Sequence, residues 1–274
     1  MKELQARARE LLASGEVAAV IGYAAGTVAG RSTPVIITKP ADASSLILDA
    51  SCVNNLAVYL LRPEVRRLGK VAVVAREAAI RAIFVLMQEN QLAADGVVII
   101  GVAIPSPGDI PAEPRLLPGR TRDELLEHLK RAAVPRPDAP AEDETGRMSD
   151  AERWDYWRRQ FAACIRCYAC RQVCPMCYCS RCIVEKSRPQ WIETSPHERG
   201  NFAWNITRAF HLAGRCVECG ECERACPAGL PLMKLNRVLA RHVREKFDYV
   251  AGTSFEGEAL FTGFRPDDPD DFTR

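Results

Sequence analysis

Two runs of cysteines with identical spacing constrain what this chain can fold into more than any other feature of the sequence. Each run has the pattern C-x2-C-x2-C-x3-C, and a proline directly follows its fourth cysteine. Three cysteines two residues apart can wrap one loop around three iron corners of a cluster, while the fourth leaves the loop. The runs consist of Cys164, Cys167, Cys170 and Cys174, and of Cys216, Cys219, Cys222 and Cys226.

This spacing predicts two [4Fe–4S] clusters rather than zinc, because structural zinc sites favour two separated C-x2-C pairs. In two-cluster ferredoxins the fourth cysteine of each run binds the other cluster. The predicted ligands are therefore Cys164, Cys167, Cys170 and Cys226 for cluster I, and Cys216, Cys219, Cys222 and Cys174 for cluster II. The long, partly helical stretch between the runs favours a mainly α-helical dicluster ferredoxin domain over the compact β-hairpin type.

Three further cysteines, Cys177, Cys179 and Cys182, follow the first run with the spacing C-x-C-x2-C. They could supply three corners of a third cluster, or bind zinc together with a histidine such as His197 or His211. The alternative is that they are buried thiols without a metal, packed beside cluster II. The sequence leaves both interpretations open.

Composition and charge exclude several classes of function. The 274 residues carry a formal net charge of +2, which is not typical of a nucleic-acid-binding protein. The longest apolar run, residues 97–104, is far shorter than the roughly 20 residues of a membrane span. The charged N-terminus lacks the apolar core of a signal peptide. We therefore expect a cytoplasmic protein, where dense cysteines indicate metal or redox chemistry rather than disulfides.

The apolar pattern of the first hundred residues predicts an α/β N-terminal domain. The predicted strands are residues 16–23, 34–39, 70–75 and 97–104, and the predicted helices are residues 3–12, 51–61 and 77–91. The strand–helix–strand unit that starts at residue 70 has the length of a right-handed crossover. We therefore expect a partly parallel sheet.

The remaining sequence predicts a division into four parts. These are an α/β docking domain (1–104), a proline-rich linker with one helix (105–148), the helical ferredoxin domain (149–248) and an acidic C-terminal tail (249–274). Eight of the 18 prolines lie in the first part of the linker, residues 105–140. The tail is expected to be a surface strap or a disordered end.

The helix predicted at the start of the ferredoxin domain has clear signals. Ser149 and Glu152 form a capping box, in which each side chain bonds to the backbone N–H of the other residue. Trp154, Trp157 and Phe161 share one face of this helix, and we expect them to pack on the ferredoxin domain. Residues 153–188 are rich in arginine, which can offset the negative charge of clusters, bind an acidic partner, or simply be solvated.

Three glycines in the N-terminal domain, Gly22, Gly26 and Gly30, follow a predicted strand and could belong to a phosphate-binding loop. Their spacing is not G-x-G-x-x-G, and the sequence has no P-loop motif. A glycine-rich turn is therefore the favoured interpretation, and binding of a nucleotide or of flavin (FAD) is the alternative. No hydrolase signature is present, and no catalytic residue is predicted.

Four segments resemble one known family. They are residues 33–62, 70–102, 164–182 and 210–237. In these segments the chain resembles the iron–sulfur beta subunits of deazaflavin-dependent hydrogenases and formate dehydrogenases, in the subgroup with a C-terminal 4Fe-4S dicluster domain. The C-x-C-x2-C trio matches the family pattern. The chain departs from it at Arg76, Glu77 and Ala78, where the family usually has a glycine–cysteine–aspartate turn, and in the cysteine-free stretch that begins at Ile104.

The resemblance implies an electron-transfer subunit. Such subunits pass electrons between a carrier and the catalytic subunit of a hydrogenase, a formate dehydrogenase or a heterodisulfide-reductase-like complex. Both departures imply that a cluster held by those positions in relatives is absent here. The residues themselves predict a non-catalytic protein that relays single electrons through two [4Fe–4S] clusters. The alternative is a flavin-binding oxidoreductase subunit that itself reduces or oxidises a two-electron carrier.

Overall fold

A computed structural model describes residues 1–104, 113–119, 121–132 and 144–261 of the chain. The chain divides into two compact units. Unit 1 comprises Met1–Ala133 and Ala251–Ala259, and unit 2 comprises Val134–Val250 and Leu260–Arg274. Much of the predicted proline-rich linker and the acidic end of the predicted tail lie outside the described residues. Within the described ranges, no helix is both long and apolar enough to cross a membrane.

Unit 1 is an α/β structure built on one five-stranded sheet. Its strands are β1 (Ala19–Ala25), β2 (Ser32–Ile37), β3 (Val71–Ala75), β4 (Val97–Ala103) and β5 (Arg115–Leu116). Its helices are α1 (Lys2–Ala13), α2 (Pro63–Arg66), α3 (Glu77–Gln88) and α4 (Arg122–Ala132), with short 3-10 helices at Pro40–Ser45, Leu56–Leu61 and Ala94–Gly96.

The sheet is mixed, with strand order β2-β1-β3-β4-β5. The central strands β1, β3 and β4 run parallel, while β2 and β5 pair antiparallel at the edges. All five residues of β3 are buried, as is typical of a parallel strand covered on both faces. The crossover from β3 through α3 to β4 is the unit that its apolar pattern predicts. The expectation of an α/β domain with a partly parallel sheet is thus confirmed.

The helix predicted over residues 51–61 is wrong in its first half. Only Leu56–Leu61 is helical, and it is a 3-10 helix. The side chain of Asn55 accepts a hydrogen bond from the N–H of Ala57 and starts the helix there. Leu56, Ala57 and Leu60 are buried, and these apolar residues account for the helical pattern in the sequence.

Part of the predicted C-terminal tail is a strap on α3 within unit 1. Arg81 donates from Nε to the carbonyl of Ala251 at 2.9 Å, and the rings of Phe84 and Phe255 lie 5.1 Å apart. Gly252 has a φ of +76°, and a Cβ there would lie 2.4 Å from the Arg81 carbonyl oxygen. Only glycine fits this close approach. The acidic residues beyond 261 lie outside the described part of the chain.

Unit 2 is mainly helical. Its helices are α5 (Asp150–Ala162), α6 (Ala169–Gln172), α7 (Glu198–His211), α8 (Glu221–Arg224) and α9 (Leu232–Phe247), with 3-10 helices at Glu144–Arg147 and Ile183–Glu185. The predicted capping box of Ser149 and Glu152 is present at the start of α5. A helical C-terminal region after the α/β region agrees with the predicted fold class.

The aromatic face of α5 packs against α7 over part of its length. Phe161 is fully buried and Trp157 is 6% exposed. Phe202 of α7 meets both Phe161 and Trp154, with ring centroids 5.9 Å and 4.6 Å away. Trp154 is nevertheless 57% exposed, so the predicted stripe is buried only in its last two turns.

Candidate metal centre

The two cysteine runs adopt the same unusual backbone conformation. In the first run Arg166 and Tyr168 have left-handed φ values of 58°, and in the second run Glu218 and Gly220 have φ values of 56° and 74° at the equivalent positions. Non-glycine residues rarely adopt this conformation, and it persists where the surrounding structure demands it. Left-handed residues turn successive N–H groups into a concave cradle for anions, including iron–sulfur clusters. The sequence repeat is therefore also a structural repeat.

A first group of thiols lies around Cys170. The pKa of Cys170 is raised to about 11, mainly by burial. The charge of Arg208 acts against this rise, and the charges of the neighbouring Cys222, Cys164 and Cys226 add to it. Cys170 thus has two of the other predicted cluster I ligands as neighbours. One of them, Cys226, belongs to the second run. The fourth predicted ligand, Cys167, is exposed.

A second group of thiols lines a cavity of about 20 Å³. The cavity is bordered by Cys174, Cys216, Cys219 and Cys222, which are the four predicted ligands of cluster II. Burial raises the pKa of the Cys216 thiol, and the charges of Cys174, Cys219 and Cys222 act in the same direction. Cys174 therefore belongs to the first run in sequence but lies with the second run in space.

The donor chemistry of both groups suits iron–sulfur clusters. All twelve cysteines are free thiols. No three His, Cys, Asp or Glu side chains of the described residues are arranged to hold a single metal ion. A [4Fe–4S] cluster is a larger group, and it binds each of its four cysteines at a different iron. The second group brings four thiols to one cavity and the first brings three predicted ligands together, so both fit such clusters by type of ligand.

The trio of extra cysteines lines a separate cavity of about 50 Å³ in unit 2. Cys177, Cys179 and Cys182 share this cavity with His211, whereas His197 does not line it. His197 instead caps α7, where its Nδ1 accepts a hydrogen bond from the N–H of Gly200. Of the two histidines considered from sequence, the structure thus brings only His211 to the trio.

The trio also touches the second thiol group through one hydrogen bond. The bond between Cys177 and Cys174, followed by burial, raises the pKa of Cys174. The same bond lowers the pKa of Cys177. The two sulfurs are therefore close neighbours, although they belong to different predicted sites.

Arg208 of α7 is the site residue that the sequence analysis missed. It is only 5% exposed, and its Nη2 donates to the carbonyl of Cys170 at 3.0 Å. It lines both the cavity of the second thiol group and that of the trio. Burial alone would lower the pKa of this arginine, but the charges of the surrounding cysteines raise it. The signal available in the sequence was helical spacing, because Asn201, Trp204 and Arg208 share one face of α7.

Two buried polar side chains fix the first run to α7. Arg166 donates to the carbonyls of Gly200 and Glu193 at 2.5 and 2.6 Å. Asn201 donates from Nδ2 to the carbonyl of Cys164 at 2.7 Å. Both side chains are at least nine-tenths buried. Hydrogen bonds therefore hold the first cysteine loop in place in addition to apolar packing. One set is donated by the loop side chain Arg166, and another is accepted by the loop backbone at Cys164.

The three glycines considered for a phosphate loop lie in and around the β1–β2 hairpin. Gly22 is inside β1, where a Cβ would lie 2.6 Å from Cδ2 of Leu46. The N–H of Gly26 donates to the carbonyl of Arg31 at 2.7 Å, and Gly30 has a φ of +72°. A phosphate loop requires a turn from a strand into a helix. The hairpin favours the interpretation as a glycine-rich turn.

The fold and the cysteine geometry define a class of iron–sulfur protein. Residues 163–231 match the family described as "4Fe-4S dicluster domain". The chain therefore contains such a domain in unit 2, and the match covers both cysteine runs and the trio.

The chain is also similar to two curated proteins. The F420-dependent formate dehydrogenase subunit beta of Methanocaldococcus jannaschii is 34% identical over 116 residues, which are 40% of this chain and 28% of the relative. The F420-dependent formate dehydrogenase 1 subunit beta of Methanococcus maripaludis is 31% identical over 110 residues, again 40% of this chain and 28% of the relative. The match thus spans little more than a quarter of these relatives.

Proposed function

We propose that this chain is an electron-transfer subunit that relays single electrons through two [4Fe–4S] clusters. The observation that carries the proposal is the crossed placement of the fourth cysteines. Cys174 lines the cavity of the second run, and Cys226 lies near Cys170 of the first run. Crossed fourth ligands are the arrangement of two-cluster ferredoxins, and they keep both clusters close enough for electron transfer between them.

The proposed ligands are those that the spacing predicts. Cluster I would be held by Cys164, Cys167, Cys170 and Cys226, and cluster II by Cys216, Cys219, Cys222 and Cys174. When bound, each cluster supplies reversible one-electron chemistry. The chain positions the thiolates on two loops of similar conformation. It buries Cys170 and Cys222 and leaves the other proposed ligands partly buried, apart from the exposed Cys167. The left-handed residues at equivalent positions of both loops are typical of backbone whose N–H groups stabilise negative charge.

The kind of partner protein is inferred from one-electron cluster chemistry and from the names of the two similar proteins. Both curated relatives are named as beta subunits of F420-dependent formate dehydrogenases. We propose that the partner here is the catalytic subunit of such a formate dehydrogenase, or of a hydrogenase or heterodisulfide-reductase-like complex, with unit 1 as the docking domain. A cytoplasmic location, where thiols stay reduced, suits the free cysteines.

The test is reversible reduction of the anaerobically purified full chain. We expect a brown protein whose broad visible absorption is bleached by dithionite and restored by a mild oxidant. Flavin that is released on denaturation would instead favour the alternative, a flavin-binding subunit that reacts with a two-electron carrier. That alternative has no support from Gly22, Gly26 and Gly30, because they fulfil turn and packing roles. A colourless protein that dithionite does not change would contradict both functions.

A third metal site at the trio extends this proposal. Its ligands would be Cys177, Cys179 and Cys182, with His211 as the fourth, because these four residues line one cavity. Three cysteines can hold corners of a cluster, with the histidine as a further ligand. The four side chains are not arranged to hold a single ion such as zinc.

The prediction for this site is a loss of metal without loss of the two clusters. Replacing all three cysteines by alanine is expected to remove about four irons per chain. Replacing Cys52, a buried thiol of unit 1, by alanine is the matched control. Elemental analysis of both variants decides, and equal metal contents would show that the trio consists of thiols without a metal.

A further inference from the structure

A buried positive charge lies next to both thiol groups. The guanidinium of Arg208 donates to the backbone of Cys170, a proposed ligand of cluster I, at 3.0 Å. It also lines one cavity with Cys222, a proposed ligand of cluster II, and another with Cys177, and its charge acts to lower the pKa of both thiols. The side chain of Arg208 therefore lies next to proposed ligands of both clusters.

This charge has no carboxylate partner among the residues that the structure describes. Its Nε lacks any hydrogen-bond partner there. Glu221, which borders the same cavity, is paired with Arg224 at 2.5 Å. By contrast, Arg171, which borders the cavity of the trio, forms an ion pair with Glu185. The negative groups around Arg208 are cysteines.

Burying an unpaired guanidinium costs free energy unless a nearby negative charge compensates. The four cysteines whose charges act on Arg208 are Cys174, Cys177, Cys170 and Cys222. Three of these four are proposed cluster ligands. The compensating charge is therefore that of thiolates and of the clusters that they would hold.

We propose that Arg208 is a positioning residue that raises the reduction potentials of both clusters. This inference rests on the proposed function, because it requires the clusters to be bound. Reduction adds one negative charge to a cluster, and a fixed positive charge in a poorly solvated site stabilises the reduced form more than the oxidised form. The effect is larger on cluster II, because Arg208 lines the cavity bordered by all four of its proposed ligands but meets the first run through the backbone carbonyl of Cys170.

The test compares three variants of the full chain. Arg208→Gln removes the charge but keeps hydrogen-bond donors, and Arg208→Lys keeps the charge. Arg199→Gln removes an exposed charge from the same helix and is the matched control. Redox titration followed by EPR gives the midpoint potential of each cluster, and iron analysis shows whether the clusters are retained.

We expect Arg208→Gln to lower both midpoint potentials, that of cluster II more. Arg208→Lys should lie between this variant and the wild type, and Arg199→Gln should match the wild type. If Arg208→Gln loses iron while Arg208→Lys keeps it, the midpoint potentials of Arg208→Lys decide: values below those of the wild type support the proposal, and unchanged values overturn it. Unchanged potentials at full iron content, or loss of iron from both Arg208 variants, would overturn it. A wild-type protein without reducible clusters would instead refute the proposed function itself.

Discussion

Replacing Cys174 by alanine is expected to remove cluster II and to leave cluster I in place, although Cys174 belongs to the first cysteine run. The physical reason is its position, because it lines one cavity with Cys216, Cys219 and Cys222. The iron held by the two clusters should fall from about eight to about four per chain. Because Cys177 lies beside Cys174 and can replace it as a ligand, the experiment is repeated with Cys177→Ala in the background.

Double variants show which cluster is lost. Cys174→Ala combined with Cys219→Ala should still hold about four irons, since both residues serve the same cluster. Cys174→Ala combined with Cys167→Ala should hold almost none, since the two residues serve different clusters. Cys226→Ala is the reciprocal control, and its iron loss should instead add to that of Cys219→Ala. The reverse pattern in these double variants would refute the crossed ligand sets.

The largest expected loss of stability follows from replacing Arg166 by methionine. Its guanidinium donates to the carbonyls of Gly200 and Glu193, and it also lies over the rings of Tyr168 and Trp204. Removing a buried charged donor leaves both carbonyls unpaired, at a cost on the order of 3 kcal/mol. The urea midpoint for loss of cluster absorption should fall by roughly 1–2 M.

The matched control for this variant is Arg199→Met. Arg199 is exposed, and a surface substitution of this kind usually changes stability by less than about 0.5 kcal/mol. Equal urea midpoints for the two variants would contradict the anchoring role of Arg166. A fall confined to Arg166→Met would show that the first cysteine loop depends on its hydrogen bonds to α7 and to the segment before it.

Local signals made part of this molecule predictable from sequence. The cysteine spacing marks both loops, because each loop forms within one short segment. The capping box of Ser149 and Glu152 is present because both partners lie within one helical turn. The parallel pairing of β3 with β4 was predictable because strand, helix and strand follow one another directly along the chain.

Features that depend on distant contacts were not predictable in this way. The buried role of Arg208 depends on cysteines from two separate runs that meet at α7. The left-handed conformation of Arg166 and its bonds to Glu193 and Gly200 arise only when the first loop packs on its neighbours. Trp154 was expected to pack on the ferredoxin domain but is exposed. Helical spacing alone does not show how far along α5 the contact with α7 extends.

The most direct test of the account is a count of iron and acid-labile sulfide in the anaerobically purified chain. The count is made on the variant with Cys177, Cys179 and Cys182 replaced by alanine, so that a third metal site adds nothing. Two [4Fe–4S] clusters predict about eight irons and about eight sulfides per chain, all in dithionite-reducible form. A content of about four irons, or zinc in place of iron, would contradict the claim that this chain relays electrons through two clusters.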